Sequence, residues 1–452
     1  MSHSTDPQLA AALDILRAIE SAGYTALIVG GAVRDRVMGR PAGDLDLATN
    51  MPISELATLF RVHDIGKSKD FGIVAVPHGG YGFEVAQFRG QTRFGDDGRP
   101  CGMDEGATFA EDAARRDFTM NAMALDARGA VQDPFGGRED IARKLVRAVG
   151  DPAERMAEDP LRALRAVRLA ARFGFSIDVA TRAAAAGVAP RVSALAPERL
   201  AEELLKMAAL PGPSFARAVR CMDELGLLGH VLPEVQALKG LPHDPKWHPE
   251  GDVYAHTLAA LEANSAPDPE VNLAVLLHDV GKAATHQERD GIPTYHGHDR
   301  AGVEIIEKLG TRLKLSGDLV RKLSFASAEH MKAAALEEMR PSKVVRLVAD
   351  PNWTLLKNVT RCDQAARGDP VSVAELDRLL SRAEATAARW VETEGAKARP
   401  VITGARVMEL TGLSPGPKVG DLLRRVSEWA IDNGVGDPRE IESHVLKLAA
   451  EG

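Results

Sequence analysis

The chain of 452 residues contains no unbroken apolar run near the roughly 18 residues that a membrane-spanning helix needs, so no membrane span is expected. Its three cysteines, Cys101, Cys221 and Cys362, are scattered without paired spacing. That excludes a disulfide framework or a zinc ribbon and suits a reducing cytoplasm, the expected location. No internal repeat or low-complexity tract is present, and there is no excess of basic residues. The formal net charge of −8 argues mildly against a nucleic-acid partner, although a local basic stripe binds phosphates whatever the whole-chain sum. A secretory signal is not expected either. The opening MSHSTDPQLAAALDILRAIESAG carries acids among its apolar residues and reads as an amphipathic helix with Leu9, Leu13, Leu16 and Ile19 inward.

What is present is ordinary globular material, 45% hydrophobic and 27% charged, with a length that suggests about three domains. The runs ALIVG (26–30), DLDLA (44–48), GIVAV (72–76), YGFEVAQF (81–88) and NAMALD (121–126) read as strands. After Gly137 the texture changes to Ala, Leu, Arg and Glu with apolar residues at helical spacing, and nearly everything to the end reads as helix. The expected fold class is α+β: a head with a small mixed sheet, followed by a long helical neck and body. The expected regions are 1–137 (head), 138–238 (neck and body), 239–370 (a histidine- and aspartate-rich section) and 371–452 (a helical tail). Residues 89–106, rich in glycine and charge, read as a mobile loop.

The segment LIVGGAVRDRVMGRPAGDLDLAT (27–49) carries the densest chemistry. A strand runs into Gly30 and Gly31, and a short helix follows, so backbone N–H groups can approach a polyphosphate without Cβ clashes. Arg34, about one turn into that helix, could reach phosphate oxygens. Asp44 and Asp46, two apart on a strand, would share one face and could hold divalent metals together. Glu84 on a later strand is either a third carboxylate for those metals or an ordinary strand acid. In RRDFTMNAMALD (115–126), Arg115 and Arg116 offer forked donors to phosphate or to the loop. Asp117 either accepts from ribose hydroxyls or belongs to an ion pair. In AEDPLRALRAVRLAARFGFSID (157–178), Asp159 and Arg162 are three apart and, on one helix, would share a face. A carboxylate accepting from an amino group beside a guanidinium donating to a ring nitrogen fits cytosine and adenine, and mismatches uracil and guanine. The same spacing also suits a surface salt bridge. A basic stripe runs through Arg143, Lys144, Arg147, Arg155, Arg162, Arg165, Arg168 and Arg172, and a subset could hold nucleic-acid phosphates.

The order strand, Gly-Gly, Arg-Asp, D-x-D resembles the DNA polymerase beta-type nucleotidyltransferase head. The RRD segment is similar to that family's ribose-binding motif, and E-D-x-x-R (Glu158, Asp159, Arg162) to its nucleotide-selecting motif, with Arg165 assisting. With APERLAEELLKM (196–207), these motifs make residues 25–235 resemble the bacterial class II tRNA nucleotidyltransferases. The resemblance implies template-independent addition of the 3′-terminal CCA of tRNA from CTP and ATP. It also implies Mg²⁺ on Asp44 and Asp46, attack of the tRNA 3′-hydroxyl on the α-phosphate, and release of pyrophosphate. The sequence departs from the family at Arg36-Val37-Met38, where leucines are more usual.

A second constellation lies in residues 250–370. His256, the adjacent His278-Asp279 inside an apolar helix, and Asp363 follow the H…HD…D order of the HD phosphohydrolases, with His298 and His330 placed where binuclear members have extra ligands. An aspartate in an apolar helix is costly without a cation. Imidazole with carboxylate suits Ni, Mn, Fe, Co or Zn. Three alternatives stand beside the leading reading: a partial enzyme adding only C or only A, a poly(A) polymerase, and an HD phosphohydrolase with a degenerate RNA-binding head. The loop at 89–106 favours full CCA addition, the intact Asp44 and Asp46 argue against a degenerate head, and the ending DPREIESHVLKLAAEG is not a basic extension.

Overall fold

In the computed structural model, which describes residues 6–64, 72–90, 92–94, 100–103, 107–243, 251–390 and 401–451, the first apolar pattern forms helix α1 (Pro7–Ser21). Asp6 caps it by accepting from the N–H groups of Gln8 and Leu9. Leu16 and Ile19 are buried as expected, joined by Ala11, Ala12 and Ile15. This face covers one side of a seven-stranded sheet. The strands are β1 (Ala26–Val29), β2 (Asp46–Thr49), β3 (His63–Asp64), β4 (Ile73–His78) and β5 (Tyr81–Gln87), then β8 (Ala124–Leu125) and β9 (Val131–Gln132), in the order β3-β4-β5-β2-β1-β8-β9. Two further strands, β6 (Thr92–Phe94) and β7 (Pro100–Met103), pair with each other. β2 runs parallel to β5, and the other neighbours in the main sheet are antiparallel.

Strand alternation explains how one sheet serves two layers. Ala26 and Ile28 of β1 join the core under α1. Leu27 and Val29 point the other way, into a second cluster with Ala48, Phe88, Phe109 and Ala113. Helix α4 (Phe109–Ala114), started by a capping box between Thr108 and Glu111, covers part of that second face and leaves the strand ends beside it open. The run 121–126 is a strand only at 124–125: Thr119–Asn121 forms a 3₁₀ turn, because the Asn121 side chain is tied to Asp117 and Arg34. Helices α2 (Gly31–Val37), α3 (Ile53–Leu59), α5 (Gly137–Ala142), α6 (Pro152–Glu158) and α7 (Leu161–Phe173) complete the elements that shape the head.

The chain divides into two compact units, Met1–Leu195 with Glu224–Leu227, and Ala196–Asp223 with Leu228–Gly452. α5 to α7 therefore fold with the sheet. The second unit is helical apart from one hairpin, Gln287–Arg289 with Ile292–Thr294, among the described residues. Asp290 and Gly291 turn it with φ of 54° and 76°, the left-handed pair that a two-residue hairpin requires. Five helices, Val253–Ala263, Pro269–Leu277, His298–Leu313, Gly317–Ala334 and Trp353–Ala366, pack together. The last three helices, Gly404–Thr411, Pro417–Asp432 and Pro438–Ala450, have a core of their own around Val407, Val426 and Val445.

Candidate functional site

In the first unit five of the expected residues, Asp46, Glu84, Arg115, Arg116 and Arg162, line a cleft of about 1240 Å³ together with Val29, Ile73, Asp112 and Arg155, whereas Asp44, Gly30, Gly31, Asp117, Asp159 and Arg165 are not among its lining residues. The register dictates the carboxylate pair. Leu47 lies beside Val85 in the parallel β2–β5 ladder, so one step back places Asp46 next to Glu84 on the same face. Asp44 precedes the strand in a bend. Leu45 is buried between the two exposed aspartates, so the expected alternation holds even though the strand begins only at Asp46. Partial burial in the cleft, then Glu84 and Asp44, raise the Asp46 pKa against the opposing pull of Arg116. Carboxylates gathered this closely, with one of them raised, suit a bound cation.

Gly30 stands at the start of α2 with φ +76°, a conformation that other residues rarely adopt. Gly31 follows as the first helical residue. Arg34 does not reach toward the cleft. It is buried, donates to Asp35 (2.9 Å) and to the Asn121 side-chain oxygen (2.8 Å), and lies over the Phe173 ring. Arg115 donates to the Gly90 carbonyl (2.5 Å), at the edge of the 89–106 segment. Residues 91, 95–99 and 104–106 of that segment lie outside the described residues. Arg116 is forked onto Asp112. Asp117 accepts from the Phe118 N–H and the Asn121 amide, and its other oxygen is 2.8 Å from Arg165.

The expectation that Asp159 and Arg162 share one helix face is not met. α6 ends at Glu158, Asp159 is extended (φ −146°, ψ 99°), and α7 begins after Pro160. The cause is local: the proline ring disfavours helical backbone in the residue before it. Asp159 accepts from the Leu161 N–H. Arg162, in the first turn of α7, donates to Glu158 (2.7 Å) and to the carbonyls of Arg155 and Arg115. The two residues thus stand at a helix corner, Asp159 closing α6 and Arg162 in the first turn of α7. Much of the basic stripe is paired: Arg143 with Glu139, Arg147 with Asp140, Arg155 with Glu158.

The second unit brings all six expected imidazoles and carboxylates together. His256 Nε2 is 2.9 Å from Asp363 Oδ1. His278 Nε2 is 3.1 Å from Asp279 and 4.0 Å from Asp363. His298 and His330 approach Asp279 Oδ1 at 3.4 and 3.6 Å and each other at 3.3 Å. Two groups result, His256-His278-Asp279 and Asp279-His298-His330, sharing Asp279. Three rings are set the same way. The Nδ1 atoms of His278, His298 and His330 each donate to the carbonyl three residues earlier, of Val275, Tyr295 and Ser327. A neutral ring so fixed turns the lone pair of Nε2 inward. At His278 that lone pair faces carboxylate oxygens, and both His278 Nε2 and Asp279 Oδ1 are buried without a hydrogen-bond partner. Acceptors facing acceptors fit a bound divalent cation. Burial opposes ionisation of Asp279 and Asp363, but the surrounding imidazoles, and for Asp279 also Lys282, hold both well below the ordinary carboxylate range. His298 is shifted down, chiefly by burial.

Three residues here escaped the motif reading. Lys282 lies 2.6 Å from Asp279 and 3.1 Å from His243, and its i,i+3 spacing from Asp279 was the available signal. Asp112, four before Arg116, was detectable the same way. Asp133 accepts from the N–H groups of Gly137 and Arg138 and so starts α5.

Three family models match the chain: the poly A polymerase head domain over residues 26–147, the probable RNA- and SrmB-binding site of polymerase A over 174–239, and the HD domain over 253–352. A multifunctional CCA protein of Halorhodospira halophila is 40% identical over 329 residues, 71% of this chain and 76% of that protein. An A-adding tRNA nucleotidyltransferase of Deinococcus radiodurans is 33% identical over 442 residues, 94% of this chain and 96% of that protein. Among solved structures, the Bacillus stearothermophilus CCA-adding enzyme in complex with CTP superposes with a TM-score of 0.71 at 27% identity, covering 99% of both chains.

Proposed function

The chain belongs to the tRNA nucleotidyltransferase family, and from that premise we propose that it adds the 3′-terminal C, C and A of tRNA from CTP and ATP without a nucleic-acid template. The observation that carries this reading is the register that sets Asp46 beside Glu84, opposite Arg115, Arg116 and Arg162, across one cleft. Asp44 and Asp46, with Glu84 beside them, would hold Mg²⁺. Bound there, a pair of such ions would supply activation of the attacking 3′-hydroxyl and charge neutralisation on the leaving pyrophosphate. Gly30, Gly31, Arg115 and Arg116 bind phosphate oxygens, and Asp117, steadied by Arg165, meets the ribose. Arg34 braces this wall from behind through Asn121. Asp159 accepts from the amino group that C and A share, and Arg162 donates to the neighbouring ring nitrogen. Functionally, residues 1–137 carry the chemistry, 138–238 the base choice and tRNA backbone, 239–370 a second metal centre, and 371–452 a tail, all acting in the cytoplasm.

That second centre is a transition-metal site for hydrolysing small phosphate esters. His256, His278 and Asp279, with Asp363 beside them, would hold the metal, and His298 and His330 with Asp279 would offer a second position. Bound there, Ni, Mn, Co, Fe or Zn would supply a nucleophile near neutral pH by acidifying water. The protein's own part is to orient the imidazoles and keep them from bulk water.

Labelled CTP and ATP offered to tRNA lacking CCA, and to tRNA already ending in CC, test the reading. Incorporation of C, C and A is expected, with UTP and GTP refused. The A-adding relative makes the second substrate decisive: A on the CC end alone, with no C on the shorter tRNA, would convert the assignment to a partial enzyme. Exchanging the charges of Asp159 and Arg162 should relax selection toward UTP and GTP by about 10–100-fold or more. An unchanged preference would place base choice elsewhere.

A further inference from the structure

Behind the cleft, the end of α2 and the end of α7 enclose guanidinium groups that the nucleotide chemistry above leaves unused. Phe173, the last residue of α7, is buried. The guanidinium carbons of Arg34, Arg40 and Arg172 stand 4.8, 5.1 and 5.1 Å from its ring centre. The electron-rich ring face attracts each of them and so offsets the repulsion of like charges held close together. Asp35 is the carboxylate paired with them, 2.8 Å from Arg34 and 3.8 Å from Arg172. Among the described residues, three guanidiniums against that carboxylate leave an excess of positive charge at one spot, to which Arg168 adds.

The three arginines are not equivalent. Arg34 is buried and spends its donors on Asp35 and Asn121. Arg172 keeps 42% of its side chain exposed, and Arg40 is exposed. Arg40 is also held in place through its backbone, whose N–H donates to the Asp35 carbonyl at 2.8 Å. Two forked, oriented and solvent-facing guanidiniums over an aromatic plate match the paired oxygens of a phosphodiester. None of Arg40, Arg172 and Phe173 lines the cleft, so the incoming triphosphate is not their ligand.

Position narrows the ligand further. Arg172 follows Arg162 by ten residues on the same helix, about 15 Å along its axis. A stacked strand advances about 3.4 Å per nucleotide, so that distance spans about four nucleotides. We propose that Arg40 and Arg172, carried on Phe173 and Arg34, form a phosphate clamp for the tRNA acceptor arm about four nucleotides from the end being extended. This rests on the functional reading above and assigns a contact it does not contain.

The test uses the full-length protein, fluorescent tRNA ending in CC, and anisotropy across a potassium chloride series. Each lost phosphate contact lowers the slope of log affinity against log salt by about 0.7–0.9. Arg40→Ala with Arg172→Ala should therefore lower it by about 1.5, weaken binding to tRNAs of different acceptor sequence alike, and leave KM for CTP in place. Arg40→Lys with Arg172→Lys should restore most of the slope. Wild-type binding with an unaltered slope in the double alanine variant overturns the clamp alone. So does a raised KM for CTP at unchanged tRNA affinity, which would hand these arginines to the triphosphate. Wild-type protein that binds no tRNA at low salt overturns the functional reading and the clamp together.

Discussion

Asp46 and Glu84 stand exposed on neighbouring strands of an open cleft, whereas His278, Asp279 and His330 keep 1%, 2% and 2% of their surface in the second unit. The first group is all oxygen, and partial burial in the cleft, then Glu84 and Asp44, raise the pKa of Asp46. The second mixes imidazole with carboxylate, and three of its rings are each held by the backbone carbonyl three residues earlier. Hard, exposed oxygen donors suit Mg²⁺, which keeps waters and binds together with substrate phosphates. Buried nitrogen donors with fixed lone pairs suit a softer ion that stays. The difference teaches that donor type and access alone can sort two kinds of ion between two sites of one chain.

The strongest way to break this comparison is Asp46→Ala. Nucleotide incorporation should fall roughly a thousandfold or more, the scale of losing a principal electrostatic stabiliser, while tRNA binding by filter retention and tightly bound transition metal persist. Near-normal turnover at saturating Mg²⁺ would remove Asp46 from the metal set.

A smaller effect should appear at the other cluster. After brief chelation and gel filtration, elemental analysis should find transition metal retained by the wild type. His278→Ala should lose more than the roughly 10–100-fold in affinity typical of an outer-shell partner, and CCA addition should need only added Mg²⁺. Metal content equal to wild type in His278→Ala would show that the lone pair identified here holds nothing.

The smallest effect sharpens the contrast in pH. Protons compete with the cation at Asp46, whose pKa is raised by burial, Glu84 and Asp44 in that order. Glu84→Gln removes one raising cause, so the acid limb of Mg²⁺-dependent incorporation should move to lower pH, by less than about one unit. Retention of metal by the imidazole cluster should keep its wild-type pH profile. An acid limb that stays put, or moves up, would mean that Glu84 does not act on Asp46.

The carboxylates of the head and the imidazoles of the second unit were legible because their chemistry is written in residue type and short spacing. Strand parity alone put Asp44 and Asp46 on one face, and it was the resemblance to the H…HD…D order, not spacing, that joined residues more than a hundred apart that the fold brings together. What stayed hidden depended on partners. Arg34 sits in the expected motif, but the choice between the cleft and Asn121 is made by packing against Phe173. The helix drawn through Asp159 ignored Pro160, whose effect on the preceding residue was readable and outweighs the i,i+3 spacing. The Asp290-Gly291 hairpin was likewise announced by its dipeptide and submerged in a helical texture.

The repeated bond from imidazole Nδ1 to the carbonyl three residues earlier has a consequence for how this centre tolerates change. Ring orientation there is not an independent variable; it is read off the local backbone, as a needle reads a gauge. Gly281 shows how narrow the scale is: a Cβ at that position would come within 1.9 Å of the His298 carbonyl oxygen and 2.6 Å of the Gly302 nitrogen. A single methyl group there would tilt the start of the helix that carries His298 and re-aim a ligand without altering any donor atom. The Asp279-His298-His330 group is thereby exposed to drift from substitutions that leave all three of its side chains unchanged.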